Sequence, residues 1–259
     1  PYVKERLYAP ENIGKYSHKI RSILEHVQKS TGIVLIYSQF IDSGLIPIAL
    51  ALEELGFKRA NKNNLMKSPL NKSYNVDKEE GKFKQGKYCI ISGDKSYSQN
   101  NVAELAMVTN PANKYGENVK VVLISQAGSE GLDFKCLRQV HILEPWYNMN
   151  RIEQIIGRAV RNCSHKALPL EERNVQIFMH GTIDERTPEQ EYIDLYVYRY
   201  AENKAIKIGK VFSTGDYISV MILTQRHIVT LAWMRKNLVT SQLKICLLYT
   251  SPSPRDQLG

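Results

Sequence analysis

No apolar run in this 259-residue sequence reaches the roughly 18 positions of a membrane span, so no membrane partner is expected. Cysteine is scarce. Cys89, Cys136, Cys163 and Cys246 lie far apart with no CxxC pair, which argues against a zinc module or a disulfide framework and fits a reducing compartment. The 15 glycines and 10 prolines are too few for a collagen-like or low-complexity chain. The N-terminus, Pro1-Tyr2-Val3-Lys4, lacks the pattern of a signal peptide, and an intracellular location is expected. What is present is an ordinary globular mix, 43% hydrophobic and 24% charged. Lys and Arg number 35 against 26 Asp and Glu, a net charge of +9. That excess favours a polyanion such as nucleic acid without requiring one.

The first residue is not Met, so a fragment, a processed product or an internal segment is expected. Cys246-Leu247-Leu248-Tyr249-Thr250-Ser251-Pro252-Ser253-Pro254-Arg255-Asp256 would pass by composition as a Ser-Pro-rich tail. It also resembles one reading frame of a common transposase sequencing adapter. Residues 246–259 are therefore set aside from the fold.

Between the ends, strand and helix signals alternate. Ile20, Ile23, Leu24 and Val27 have helical spacing, closed by Gly32. Ile33-Val34-Leu35-Ile36-Tyr37 reads as a buried strand. Leu45, Ile48, Ala49, Leu52 and Leu55 give a second helix, with Ser43 as N-cap, Pro47 in its first turn and Gly56 as its stop. Residues 58–87, rich in Lys and Asn, read as an exposed insertion loop. Further strands are expected at Tyr88–Ser92, Val119–Ser125, Val140–Glu144 and Asn174–Met179, and helices around 98–109, 151–161 and 189–207. Continuous apolar strands alternating with helices imply an α/β three-layer domain with a mainly parallel sheet. Residues 1–30 form a connector and leading helix, 31–210 the domain, and 211–245 stay unassigned. Ligands of such sheets sit beyond the carboxyl ends of the strands.

One apparent phosphate loop is discarded. Gly81-Lys82-Phe83-Lys84-Gln85-Gly86-Lys87-Tyr88 nearly spells GxxxxGK[ST], but Tyr88 cannot offer Mg²⁺ a small hydroxyl. The segment also leads into a strand, whereas a P-loop leaves one. No acidic pair ends an apolar strand, so this chain alone has no complete nucleotide site. Asn71-Lys72-Ser73 reads as a chance match to a glycosylation acceptor.

The chemistry concentrates in Arg151-Ile152-Glu153-Gln154-Ile155-Ile156-Gly157-Arg158-Ala159-Val160-Arg161. On a helix, Ile152, Ile155, Ile156, Ala159 and Val160 share one side. Arg151, Gln154, Arg158 and Arg161 fall within an arc of roughly 80° on the other. A solvated basic face is the plain alternative. Gly157 argues against it, since a mid-helix glycine costs about 1 kcal/mol relative to Ala, as though something must approach closely.

Gln154-x-x-Gly157-Arg158-x-x-Arg161 resembles motif VI of superfamily-two helicases and translocases. Ser125-Gln126-Ala127-Gly128-Ser129-Glu130-Gly131-Leu132-Asp133-Phe134 resembles motif V, and Tyr37-Ser38-Gln39-Phe40 motif IV. Ile91-Ser92-Gly93-Asp94 sits where the group carries its intervening strand-end motif. Ala127–Phe134, His141–Tyr147 and Gln154–His165 are similar to helicase-like NTPases of large cytoplasmic DNA viruses, the poxvirus early-transcription-factor and phosphohydrolase group, relatives of the Snf-type translocases. Gly181-Thr182-Ile183-Asp184-Glu185 and the following helix with Lys204 resemble the Snf-type ending. The resemblance spans roughly residues 15–211 and is most specific in its central third. Beyond Val211 it stops, through natural divergence or a shifted reading frame.

The resemblance implies the second RecA-like lobe of such a motor, without the first lobe and its P-loop and acidic box. ATP with Mg²⁺ would be bound mainly by that missing lobe. Arg158 and Arg161 would be the motif VI arginines, with Arg161 the finger and Gln154 beside the γ-phosphate. Asp133 would bind ribose, and Gly131 and Gly157 would line the nucleotide. Ser38, Gln39, Gly128 and Ser129 would touch the backbone of DNA or RNA. Partners would be the N-terminal RecA-like lobe, nucleic acid and viral transcription machinery, in a virion or host cytoplasm. The fragment alone is expected to be inactive. His141 reads as a satisfied core histidine, and Trp146 as a packing residue. Two alternatives stay open: a non-catalytic nucleic-acid-binding module of the same fold, and a nucleotide-binding enzyme unrelated to motors, which would need its own phosphate loop.

Overall fold

β-branched runs choose the sheet, and amphipathic segments cover it. The computed structural model describes residues 6–60, 63–67, 73–77, 83–98, 100–126, 132–161, 163–183, 191–213 and 245–249. In chain order the elements are α1 (Ile13–Tyr16), α2 (His18–Lys29), β1 (Ile33–Tyr37), a π turn (Ile41–Leu45), α3 (Ile46–Glu54), β2 (Lys58–Arg59), β3 (Lys87–Ile91), α4 (Asn101–Val108), β4 (Val121–Ile124), β5 (Leu137–Ile142), α5 (Met149–Ala159), β6 (Val175–Met179), α6 (Ile193–Ser213) and β7 (Ile245–Tyr249). The sheet runs β2-β3-β4-β1-β5-β6-β7. Every pairing is parallel except that of β7 with β6.

Alternation along the strands builds a core on each side. Val34, Ile36, Val121 and Leu123 face α2 and α3, packing on Ile23, Leu24, Ile48 and Leu52. Ile33, Leu35, Val122, Ile124, Val140 and Ile142 face the other way, onto Val108, Ile152, Ile155 and Tyr198. Both faces are covered, which is why the strands carry so few polar residues. The arrangement is the three-layer α/β architecture expected, with a mainly parallel sheet.

Some boundaries differ from the sequence reading. β5 starts at Leu137, not Val140, because Gln139 is buried and amide-paired with Gln176 at 3.1 Å. Ser43 does not cap a helix: it lies within the π turn that runs into α3, while Gly56, at φ +96°, ends that helix region as expected. The described parts of the 58–87 span are anchored. Its first residues form β2, Tyr74 stacks on Phe57 with ring centroids 4.3 Å apart, and the buried Glu53 carboxylate accepts from Leu65 N–H, Met66 N–H and Tyr88 Oη–H at 2.7, 2.8 and 2.6 Å. Ile245–Tyr249, of which Cys246–Tyr249 fall in the tail set aside above, add to the sheet antiparallel to β6.

Candidate nucleotide and nucleic-acid site

Parallel pairing delivers the ends of β1, β3, β4, β5 and β6 to one edge of the sheet. Ser38-Gln39-Phe40, Ser92-Gly93-Asp94, Ser125-Gln126 and Glu144 therefore emerge side by side, where an α/β sheet places its ligands. Gly128 and Ser129, expected to touch the nucleic-acid backbone, and Gly131, expected to line the nucleotide, lie outside the described residues.

α5 buries Met149, Ile152, Ile155 and Ala159 and turns Arg158 towards the neighbouring segment. Arg158 Nη1 donates to the Leu132 carbonyl at 3.2 Å. Arg161 is not on the helix, contrary to the sequence reading. α5 ends at Ala159, and Val160 leaves helical geometry at ψ 74°. Ser164 Oγ then folds back to 3.3 Å from the Ala159 carbonyl, with His165 Nδ1, at 2.8 Å, the nearer acceptor for its proton. From this position Arg161 Nη1 reaches Asp133 Oδ1 at 3.3 Å, both side chains about half exposed. The two arginines therefore converge on consecutive residues, Leu132 and Asp133, by different routes. Gln154 is exposed on α5. A Cβ at Gly157 would meet nothing within 4 Å, so no neighbour in the described chain requires glycine there.

At the β1 exit, Ser38 is wholly buried, not facing outward as its expected role would need. Its hydroxyl lies 2.8 Å from Glu144 Oε1 and 3.0 Å from the Phe40 carbonyl, and accepts from Phe40 N–H at 3.1 Å. Glu144 Oε2 accepts from Gln39 N–H at 3.2 Å. Burial raises the Glu144 carboxyl above its ordinary range, against the lowering effect of Ser38, Gln39 and nearby Lys19. Glu144 was read from sequence only as the last residue of an expected strand, with no role in the site. The available signal was a carboxylate ending an apolar strand. Tyr97 ties the β3 exit to the π turn, donating to Asp42 Oδ1 at 3.2 Å.

Beside Glu144, Trp146 packs beneath the Arg151 guanidinium, 3.7 Å from the ring centroid. Lys204 of α6 donates to Asn148 Oδ1. Lys19 of α2 joins the same corner, 2.7 Å from Asp194 and donating to the Leu143 carbonyl at 3.2 Å. His141 is fully buried, with Nδ1 3.0 Å from His180 Nε2 and its ring stacked on Phe178. Burial and the neighbouring imidazoles push its pKa well down, away from general-base chemistry. Among the described residues, no three His, Cys, Asp or Glu side chains are grouped to hold a metal ion, and no helix is long and apolar enough to cross a membrane.

Known proteins share this text. The termination factor NPH-I homolog of African swine fever virus is 34% identical over 204 residues, covering 69% of this chain and 29% of that protein. Nucleoside triphosphatase I of Heliothis armigera entomopoxvirus is 35% identical over 126 residues, covering 48% and 19%. The chain thus spans less than a third of the length of these curated relatives. Among solved structures, the C-terminal part of the Fun30 ATPase domain is 18% identical with a TM-score of 0.41, covering 72% of this chain and 53% of that one. The helicase conserved C-terminal domain model matches residues 18–163. Motif order, strand-end geometry and this match agree, and the chain belongs to the helicase conserved C-terminal domain family.

Proposed function

We propose that the chain is the second motor lobe of an ATP-dependent nucleic-acid helicase or translocase that acts in viral transcription. The observation that carries this reading is the convergence of Arg158 and Arg161 on Leu132–Asp133 at the strand-end edge. Phosphoryl transfer to water needs positive charge on the equatorial oxygens of the γ-phosphate. A guanidinium stays charged and bonds phosphate as a fork. Arg161, half exposed and paired with Asp133 in a solvent-screened contact, can exchange that carboxylate for phosphate; Arg158 supports it from the helix. Asp133, an acceptor at the same place, would then take a ribose hydroxyl, and Gln154 would sit beside the γ-phosphate. ATP with Mg²⁺ supplies the phosphoryl group and the charge that these residues answer. The metal would be carried by the nucleotide and the first lobe. Gln39 and the strand exits around it would face DNA or RNA, with the N-terminal lobe opposite.

The test uses the full-length parent. Arg161→Ala should reduce Mg²⁺-dependent ATP turnover by about 10³ or more, with nucleic-acid binding retained. Turnover within two-fold of the parent would remove Arg161 from the chemistry and favour the alternative, a non-catalytic nucleic-acid-binding module of the same fold. Purified residues 1–245 should show no ATP turnover, since neither a P-loop nor an acidic box is in this sequence.

A further inference from the structure

Phe40 stands 50% exposed at the exit of β1, yet its backbone is held from several sides. Ser38 Oγ accepts from Phe40 N–H at 3.1 Å. Its single proton has two acceptors, the Phe40 carbonyl at 3.0 Å and Glu144 Oε1 at 2.8 Å. The shorter, charge-assisted contact favours the carboxylate. Leu45 N–H reaches back to the Phe40 carbonyl at 3.1 Å, closing the π turn. Gly44 sits so close that a Cβ there would lie 2.0 Å from Ser38 Oγ. A buried hydroxyl, a half-buried carboxylate and a π turn, a feature frequent at functional sites, therefore hold the backbone that carries one ring the fold leaves in water.

We propose that Phe40 is a stacking contact for a nucleobase, held out by the Ser38–Glu144 clamp, with Glu144 as its positioning residue. The proposal rests on the reading of the strand exits as facing nucleic acid. An aromatic face stacks on any base, so it adds grip without sequence preference, which suits a lobe that moves along a strand. The neighbouring Gln39 offers an amide to the same strand, and the net charge of +9 supplies the long-range attraction. Glu144 acts through Ser38 and the Gln39 amide, not by touching the ligand.

The experiment compares this chain's affinity for two labelled DNA single strands of equal length, one of oligothymidine and one of abasic residues with the same backbone charge. The wild type should bind the base-bearing strand at least about five-fold more tightly. Phe40→Ala should bind both strands alike, with the salt slope unchanged because no charge is lost, and Phe40→Trp should restore the preference. Glu144→Gln keeps an acceptor for Ser38 but presents an amide to Gln39 N–H. It should weaken the preference while affinity for the abasic strand stays, a split that general loss of structure would not produce. A Phe40→Ala ratio equal to that of the wild type overturns the proposal and hands the ring to a protein surface. Salt-dependent binding of both strands would still stand in that case, so the wider reading survives. If the wild type binds neither strand at low salt, the wider reading fails as well.

Discussion

Arg161 and Asp133, both expected from sequence to meet a nucleotide, meet each other at 3.3 Å. Exposed pairs of this kind contribute about 0–1 kcal/mol, so the contact parks the guanidinium at low cost to its later release. Arg161→Ala should therefore change the melting temperature of this chain little. Arg158→Ala removes a hydrogen bond from a half-buried group to the Leu132 carbonyl and should cost about 0.5–1.5 kcal/mol. Chemical denaturation of both variants checks the ranking; a larger loss for Arg161→Ala would make the ion pair structural.

Gly157→Ala should separate stability from activity. The space above Gly157 is open, and alanine in a helix gains about 1 kcal/mol over glycine. The variant of this chain should melt higher. In the full-length parent the same methyl should reduce ATP turnover, if the bare helix surface is where phosphate approaches. Higher stability with full turnover would leave Gly157 without a role in the site.

Gly44→Ala should do the opposite. Its methyl would meet Ser38 Oγ at 2.0 Å and Ser38 Cβ at 2.9 Å, both buried. Overpacking of this kind typically costs about 1–3 kcal/mol, and here it would also break the bonds that Glu144 receives. Unfolding in urea measures the loss; wild-type stability would mean that the π turn yields easily.

The sequence made β1 and α2 plain because their apolar positions repeat with the period of each element. The placement of Arg161 was not legible. Helical phase extrapolated from Arg158 runs through Val160, but the backbone breaks at Val160, where Ser164 folds back against the Ala159 carbonyl. Ser38 misled for another reason: a hydroxyl beside Gln39 looks like surface, and its burial follows from Glu144, a partner 106 residues away. Local patterning cannot report a bond of that range. Gly157 was expected to mark a close approach, and no neighbour among the described residues accounts for it.

Acid should destabilise the chain before ordinary carboxylates titrate. Burial lowers the His141 pKa well below the usual imidazole value and that of His180 to about 3. In the unfolded chain both would titrate near 6.5, so below that pH the unfolded state binds more protons. Their stabilising contribution is complete above about pH 6.5 and is lost as pH falls towards 3. Glu144, raised by burial, works in the opposite direction and offsets part of the loss. Melting temperature should fall between pH 7 and pH 5, and His180→Gln should start lower but decline less. A flat profile would mean that the histidines accept protons where they stand.

Deletion of residues 246–259 should have little effect. An apolar run such as Cys246-Leu247-Leu248-Tyr249 will pair with an open sheet edge within reach, whatever its origin. Melting the chain truncated at Ile245 tests this. A fall beyond the roughly 2–4 °C that 1 kcal/mol brings in a protein of this size would make the strand an integral part of the domain.

The position of β1 at the centre of the sheet also sets how the polypeptide must be born. Its two neighbours, β4 and β5, are encoded far downstream, and the Ser38–Glu144 bond closes across 106 residues. A ribosome adds about 5–20 residues per second, so Ile33-Val34-Leu35-Ile36-Tyr37 spends several seconds outside the exit tunnel with neither partner made. A five-residue apolar stretch of high β-propensity and no charge is just what self-associates between nascent chains. Synthesis of this lobe is therefore a race between elongation to Ile142 and capture of β1, by a chaperone or by its own copies on the same message.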